Sequence, residues 1–169
     1  FLPMTSNNEL LPRFESIGEV VLAGKRSRRS LSRDTTRELW KAFMPELGQI
    51  ATRTGSDLYS VAVYGGLDFF TQFDPHREFD SWAAVPIKRE TTLPEGLETL
   101  TVPPGLYAVF HYKGRPSQIR GTYQDIFGNW LPRSGYVLEN RPHMAVMGAG
   151  YKGEHPDSEE FLWIPVGKK

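Results

Sequence analysis

Cysteine is absent from all 169 residues, which excludes disulfides, thiol nucleophiles and cysteine-ligated zinc together. Net charge is absent too: 20 Lys and Arg balance 20 Asp and Glu, so no bulk field draws the chain to nucleic acid or to an anionic membrane. No apolar run approaches the roughly 18 residues of a membrane span, and Phe1-Leu2-Pro3-Met4 lacks the length and basic flank of a secretory leader. A Gly-x-Gly-x-x-Gly turn, a phosphate loop and a Gly-x-Ser-x-Gly elbow are also missing, and His76 and His155 stand alone in loop-like stretches. These absences predict a cytoplasmic single domain over residues 1–169 with no cofactor, no metal and no catalytic set marked by spacing. Residues 1–11 read as a flexible N-terminal segment.

What the chain does contain is a copy of itself. Leu39-Trp40-Lys41-Ala42-Phe43-Met44-Pro45-Glu46-Leu47-Gly48 recurs 87 positions later as Ile126-Phe127-Gly128-Asn129-Trp130-Leu131-Pro132-Arg133-Ser134-Gly135. The β-branched run Gly18–Gly24 has its counterpart in Gly105–His111 at the same spacing. Ala62-Val63-Tyr64-Gly65 matches Ala145-Val146-Met147-Gly148 at 83, and Trp82–Ile87 matches Phe161–Val166 at 79. A period this long in a chain this short means two halves, about 12–90 and 98–169, each reading strand, helix, strand, strand. Asp34 is placed to cap the first helix, whose stripe is Leu39, Phe43, Leu47. The second helix, after Pro116-Ser117, carries Ile119, Tyr123, Ile126, Phe127 and Trp130. One helix per half covers one sheet face, so the fold class is α+β: duplicated β-α-β-β halves in one antiparallel sheet, two main helices on one side and a ligand cleft between the halves. The basic run Lys25–Arg33 is expected to be a solvated mobile loop.

Several spaced motifs carry a resemblance. Leu106-Tyr107-Ala108-Val109-Phe110, Trp130–Tyr136, Arg141-Pro142-His143, Ser158-Glu159-Glu160 and Trp163-Ile164-Pro165-Val166 together resemble the gyrase-inhibitor-like superfamily, the effector-binding domain also attached to AraC-type and MerR-type transcription regulators. The resemblance is close from about Trp82 onward. It implies a small-molecule pocket between the halves that takes hydrophobic, often cationic or planar compounds. Some members are regulators, some hydrolyse cyclopropane-bearing natural products, and one kind inhibits gyrase. The chain departs from that pattern at three positions where relatives tend to hold acids: Pro86, Ala145 and Phe161.

Residues two apart on a strand share a face, which groups His143, Ala145 and Met147, then Phe161, Trp163 and Pro165, then Trp82, Ala84 and Pro86. The resemblance makes these the pocket sets and leaves Met144, Val146, Leu162, Ile164, Ala83, Val85 and Ile87 under the helices. The expected ligand site is therefore Trp82, Tyr64, Pro86, His143, Ala145, Met147, Phe161 and Trp163, an aromatic cleft for a flat apolar molecule or for a cation held by ring faces. His143 lies on the expected pocket face and is of a type that titrates near neutrality, although a lone His is more often structural, while Glu159 and Glu160 are expected to face solvent. The resulting reading is a stand-alone protein that senses or sequesters a hydrophobic small molecule, without direct DNA or membrane contact, its oligomeric state open. A hydrolase of a reactive xenobiotic and a protein-binding inhibitor are the alternatives.

Overall fold

A computed structural model describes residues 10–88 and 92–169. The expected flexible segment falls mostly on residues 1–9, outside the described residues. The described chain forms β1 (Arg13–Ile17), β2 (Val20–Arg29), α1 (Thr36–Phe43) continued by a 3-10 turn at Met44–Gln49, β3 (Leu58–Val63), a one-turn α2 (Asp68–Thr71), β4 (Phe79–Pro86), β5 (Glu98–Val102) and β6 (Gly105–Lys113). After a 3-10 turn at Pro116–Gln118 come α3 (Arg120–Asp125), a π turn (Ile126–Trp130), α4 (Leu131–Arg133), β7 (Tyr136–Leu138), β8 (His143–Met147) and β9 (Glu159–Lys168).

The strand order β1-β6-β9-β8-β3-β4-β2-β5, antiparallel throughout, is a palindrome of the repeat. The halves meet where β3 pairs with β8, Val61 opposite Met144 and Tyr59 opposite Val146. Moving outward, β4 corresponds to β9, β2 to β6 and β5 to β1, while β7 adds to β9. Six strand steps separate β1 from β2 in that order, about 29 Å in a flat sheet. Yet only Gly18 and Glu19 join them, a reach of about 10 Å. Pro103-Pro104 impose the same demand between β5 and β6. The sheet must therefore curl, and its inner face is filled by side chains from both halves: Leu22, Val61, Trp82, Val102, Tyr107 and Met144.

Both helices lie on the other face. Leu39 and Phe43 of α1 pack on Ala23, Ala83 and Val85. Ile126 packs on Ala108, Phe110, Leu162 and Ile164, with Phe127 and Trp130 alongside. Asp34 serves the start of α1 as expected, its Oδ1 accepting the Thr36 N–H at 3.0 Å.

The basic run Lys25–Arg33 is a loop only in its second part, from Ser30 to Arg33. Lys25 to Arg29 continue β2 in register with Ala83 to Phe79 of β4. Neighbouring strands supply acids for it: Arg28 bonds Asp80 at 3.0 Å and Arg26 pairs with Glu98 at 3.3 Å, while Lys25 pairs with Glu46. Arg26 and Arg28 are solvated as expected, but the run reads as a loop from sequence because the strands it pairs with lie elsewhere in the chain. Gly24 permits the close approach of β2 to β4, since a Cβ there would sit 2.0 Å from the Ala83 carbonyl oxygen.

Candidate functional site

The predicted residues divide between the two faces of the sheet. Trp82, Phe161 and Trp163 belong to the inner core, and Pro86 sits in register with Leu22 on that same face. Tyr64, His143 and Ala145 lie on the helix face, with Met147 two residues beyond Ala145 on β8. The expected common face fails for β8 because its register sets Met144 opposite Trp163 and Val146 opposite Phe161. Partners across antiparallel strands share a face. Met144 and Val146 thus fill the inner core rather than lying under the helices, while Leu162, Ile164, Ala83, Val85 and Ile87 do lie there.

At the seam the two faces are packed differently. On the inner side Val61 and Met144 are buried. On the helix side the same strands present Ser60, Ala62 and Ala145, all only half-buried although they occupy the centre of a nine-stranded sheet. Short side chains there lie between the cluster under α1 and the cluster under α3 and the π turn. Rings stand around them. Tyr64 lies 4.8 Å from His143 and 4.8 Å from Phe79, Phe70 stacks on His143 at 5.5 Å, and Phe127 lies 5.3 Å from Phe70 and 6.2 Å from Tyr123. The π turn positions Phe127 in this layer, an instance of a widened helix turn at a candidate site. A separate hollow of about 500 Å³ opens at the ends of β3 and β4, where Arg28, Val63 and Asp80 of the inner face line it with Tyr64, Gly65, Arg77 and Glu78.

The titratable group of this layer is not the expected one. His143 is buried against Tyr64, Phe70 and Phe127, and desolvation holds its imidazole down at about 3, so it is neutral at physiological pH. The corrected candidate is Glu160. Only 6% exposed, it points to the helix side with Leu162 and Ile164, opposite Tyr112 of β6. Continuing the β8–β9 register by one pair sets Met147 beside it. Burial pushes its carboxyl up to about 7, and no described cation pairs with it. The phenols of Tyr112 and Tyr151 are raised first by their own burial and then by the Glu160 charge, and that of Tyr123 by burial, then Tyr64, then Glu160. Tyr112 is already engaged, donating to the Arg115 carbonyl at 2.5 Å. Glu159, one residue earlier, takes the opposite face and bonds His111 at 2.6 Å.

Parity carried the signal for Glu160. Once Leu162 and Ile164 are under the helices, Glu160 belongs with them; its place beside the polar Ser158-Glu159 hid this. Two other motif residues prove structural. Arg141 donates to the Leu106 and Val166 carbonyls at 2.9 and 3.2 Å, and the Pro142 carbonyl accepts the Tyr107 hydroxyl at 2.8 Å, tying β6, β9 and the entry to β8. Among the described residues no cluster of His, Asp and Glu could hold a metal ion, and no helix is long and apolar enough to cross a membrane.

A duplicated antiparallel sheet with two helices on one side is the architecture of an effector-binding domain. Residues 13–166 match the family of integron-associated effector-binding proteins, and the chain belongs to that family. The resemblance to the gyrase-inhibitor-like superfamily read from the motifs agrees with this. The transcriptional regulator BrlR of Pseudomonas aeruginosa is 27% identical over 135 residues, which are 79% of this chain and 47% of BrlR, so the chain spans about half the length of that relative. Among solved structures, SAV2435 bound to tetraphenylphosphonium superposes with a TM-score of 0.71 at 14% identity, covering 94% of each chain. EcmrR in its DNA complex superposes at 0.67 with 15% identity, covering 95% of this chain and 58% of EcmrR. At these identities the likeness concerns the fold.

Proposed function

We propose that this domain binds a hydrophobic aromatic cation on the helix face of the seam, sensing or sequestering it without a covalent step. The observation that carries the reading is Glu160, a buried carboxyl with no described counter-charge. Such a group is costly to ionise alone and is stabilised by a cation brought in with the ligand, because Coulomb attraction is strong where water is excluded. Tyr64, Tyr123, Phe127 and the neutral His143 supply ring faces, and Ala145 and Met147 border the carboxyl. The tetraphenylphosphonium bound to SAV2435 is a ligand of this chemistry and supports the choice of probe. Trp82, with the half-buried Pro86, Phe161 and Trp163, then belongs to the opposite face of the sheet.

Calorimetric titration with tetraphenylphosphonium tests the reading. The wild type binds it, and Glu160→Gln weakens binding by tenfold or more, since a charge-assisted contact contributes about 1.5–3 kcal/mol. Unaltered affinity in the variant would remove Glu160 from the site. A second reading has one observation behind it: a carboxyl near 7 is matched to general-base work on a reactive xenobiotic. Turnover of a cyclopropane-bearing compound, lost in Glu160→Gln, would establish that alternative.

A further inference from the structure

The palindromic sheet has two edges, and they are finished differently. β5 ends the first half and β1 the second, and among the described residues each pairs on one side only. The matched runs Gly18–Gly24 and Gly105–His111 make the edges comparable position by position. Thr101 stands opposite Val21, and Phe14 stands opposite Ala108, the counterpart of Val21 87 residues on. On β5 that position is a threonine, with Thr99 on the same face and Pro103-Pro104 closing the strand. Polar side chains and flanking prolines are the usual protection of a sheet edge. On β1 the position is a ring that stays 40% exposed although it stacks on Tyr136 at 4.5 Å, and Leu11, just before the strand, is 68% exposed.

The other face of β1 says what covers this edge. Arg13 and Glu15, two apart and so on one face, carry opposite charges, are 51% and 43% exposed, and bond each other at 3.0 Å. We infer that β1 pairs antiparallel with β1 of a second copy across a two-fold axis at Phe14, so that the two sheets run on into one. In that register Arg13 stands opposite the partner's Glu15 and Glu15 opposite the partner's Arg13, two attractive cross-strand pairs, while the two Phe14 rings meet on the helix side. An axis at Arg13 or at Glu15 would set like charges opposite each other. An axis between residues would set the helix face of one copy level with the inner face of the other. Pro12, which has no N–H to give, falls at the rim opposite the partner's Ser16. Five residues a side make a small contact, so the dissociation constant is on the order of tens of micromolar. The β3–β8 seam lies well inside the sheet and stays open, so this pairing does not depend on the ligand reading.

Sedimentation of the intact protein over concentrations from about 1 to about 500 µM, either side of that constant, tests the pairing. The weight-average mass is expected to climb from 19.2 kDa toward twice that. Arg13→Glu makes this face of the edge acidic and Glu15→Arg makes it basic, and each is expected to weaken self-association about tenfold, two attractive pairs having become repulsive. Both exchanges in one chain restore the alternation in reverse, and with it the dimer. An equimolar mixture of the two single variants forms a mixed dimer, which keeps the test decisive if the double variant does not fold. A wild type that stays at the monomer mass throughout overturns the inference and leaves the edge to a strand of another protein. A dimer that both single variants leave intact overturns it too, since that contact lies elsewhere, as does a mixture that fails to associate.

Discussion

The two faces of the β3–β8 seam are built from the same two strands, yet they do opposite things. The inner face presents Val61 and Met144 to Trp82 and Tyr107, closing into a core that both halves share. The helix face presents Ser60, Ala62 and Ala145, leaves them half-buried, and sets a lone carboxyl and neutral rings around them. Alternation along a strand lets one segment serve both purposes, because each residue is committed to one side. The inner side of the seam packs Val61 and Met144 into the shared core, and the proposed ligand site lies on the opposite side.

The sharpest way to break this contrast is Trp82→Ala. Truncating a buried Trp in a shared core costs about 3–5 kcal/mol, so urea denaturation should show a large loss of stability, while the folded fraction still binds tetraphenylphosphonium. A loss confined to binding would mean that the inner face is the cleft after all.

Next in size is the pH dependence of stability. The Glu160 carboxyl rises from 4.5 to about 7 on folding, so between those values the native state holds a proton that the unfolded state has released. Stability therefore falls as pH rises through this window, by on the order of 3 kcal/mol. Buried neutral His143 acts with the opposite sign: its imidazole drops from 6.5 to about 3, and stability falls as pH drops through that range. Above pH 6.5 the Glu160 contribution stands alone. Thermal melts between pH 6.5 and 8 isolate the last part of this loss, about 1 kcal/mol, which the wild type should show and Glu160→Gln should lack; parallel curves would show that the carboxyl is solvated.

A smaller effect sharpens the comparison from the other side. Ala145→Leu adds bulk to the helix side of the seam. It is expected to weaken tetraphenylphosphonium binding about tenfold, about 1.4 kcal/mol, with stability changed by less than that. Strong destabilisation with intact binding would show Ala145 to be core.

Much of this fold could be read directly from residues. The recurring Trp-Pro-Gly helix ends and the three matched strand pairs led to one antiparallel sheet of two duplicated halves, and the aliphatic positions Ala83, Val85, Leu162 and Ile164 were found under the helices, while the palindromic strand order came from the structure. The edges were not legible: β1 and β5 are short, and their places depend on pairing with β6 and β2 across the chain. The site was half legible. Tyr64, His143, Ala145 and Met147 lie on the face proposed to bind, but they were grouped with Trp82 and Trp163, because strand parity states which residues go together and not which face they take. Only the register of β8 against β9 fixes that. Glu160 was obscured by its neighbours.

Tetraphenylphosphonium affinity as a function of pH tests the central claim most directly. If the cation meets an ionised Glu160, protons compete with it: affinity should fall about tenfold per pH unit below about 7. It should level off above that value, and Glu160→Gln should be weak and flat throughout. An affinity independent of pH between 5 and 8 in the wild type would contradict the assignment of Glu160 as the ligand's counter-charge.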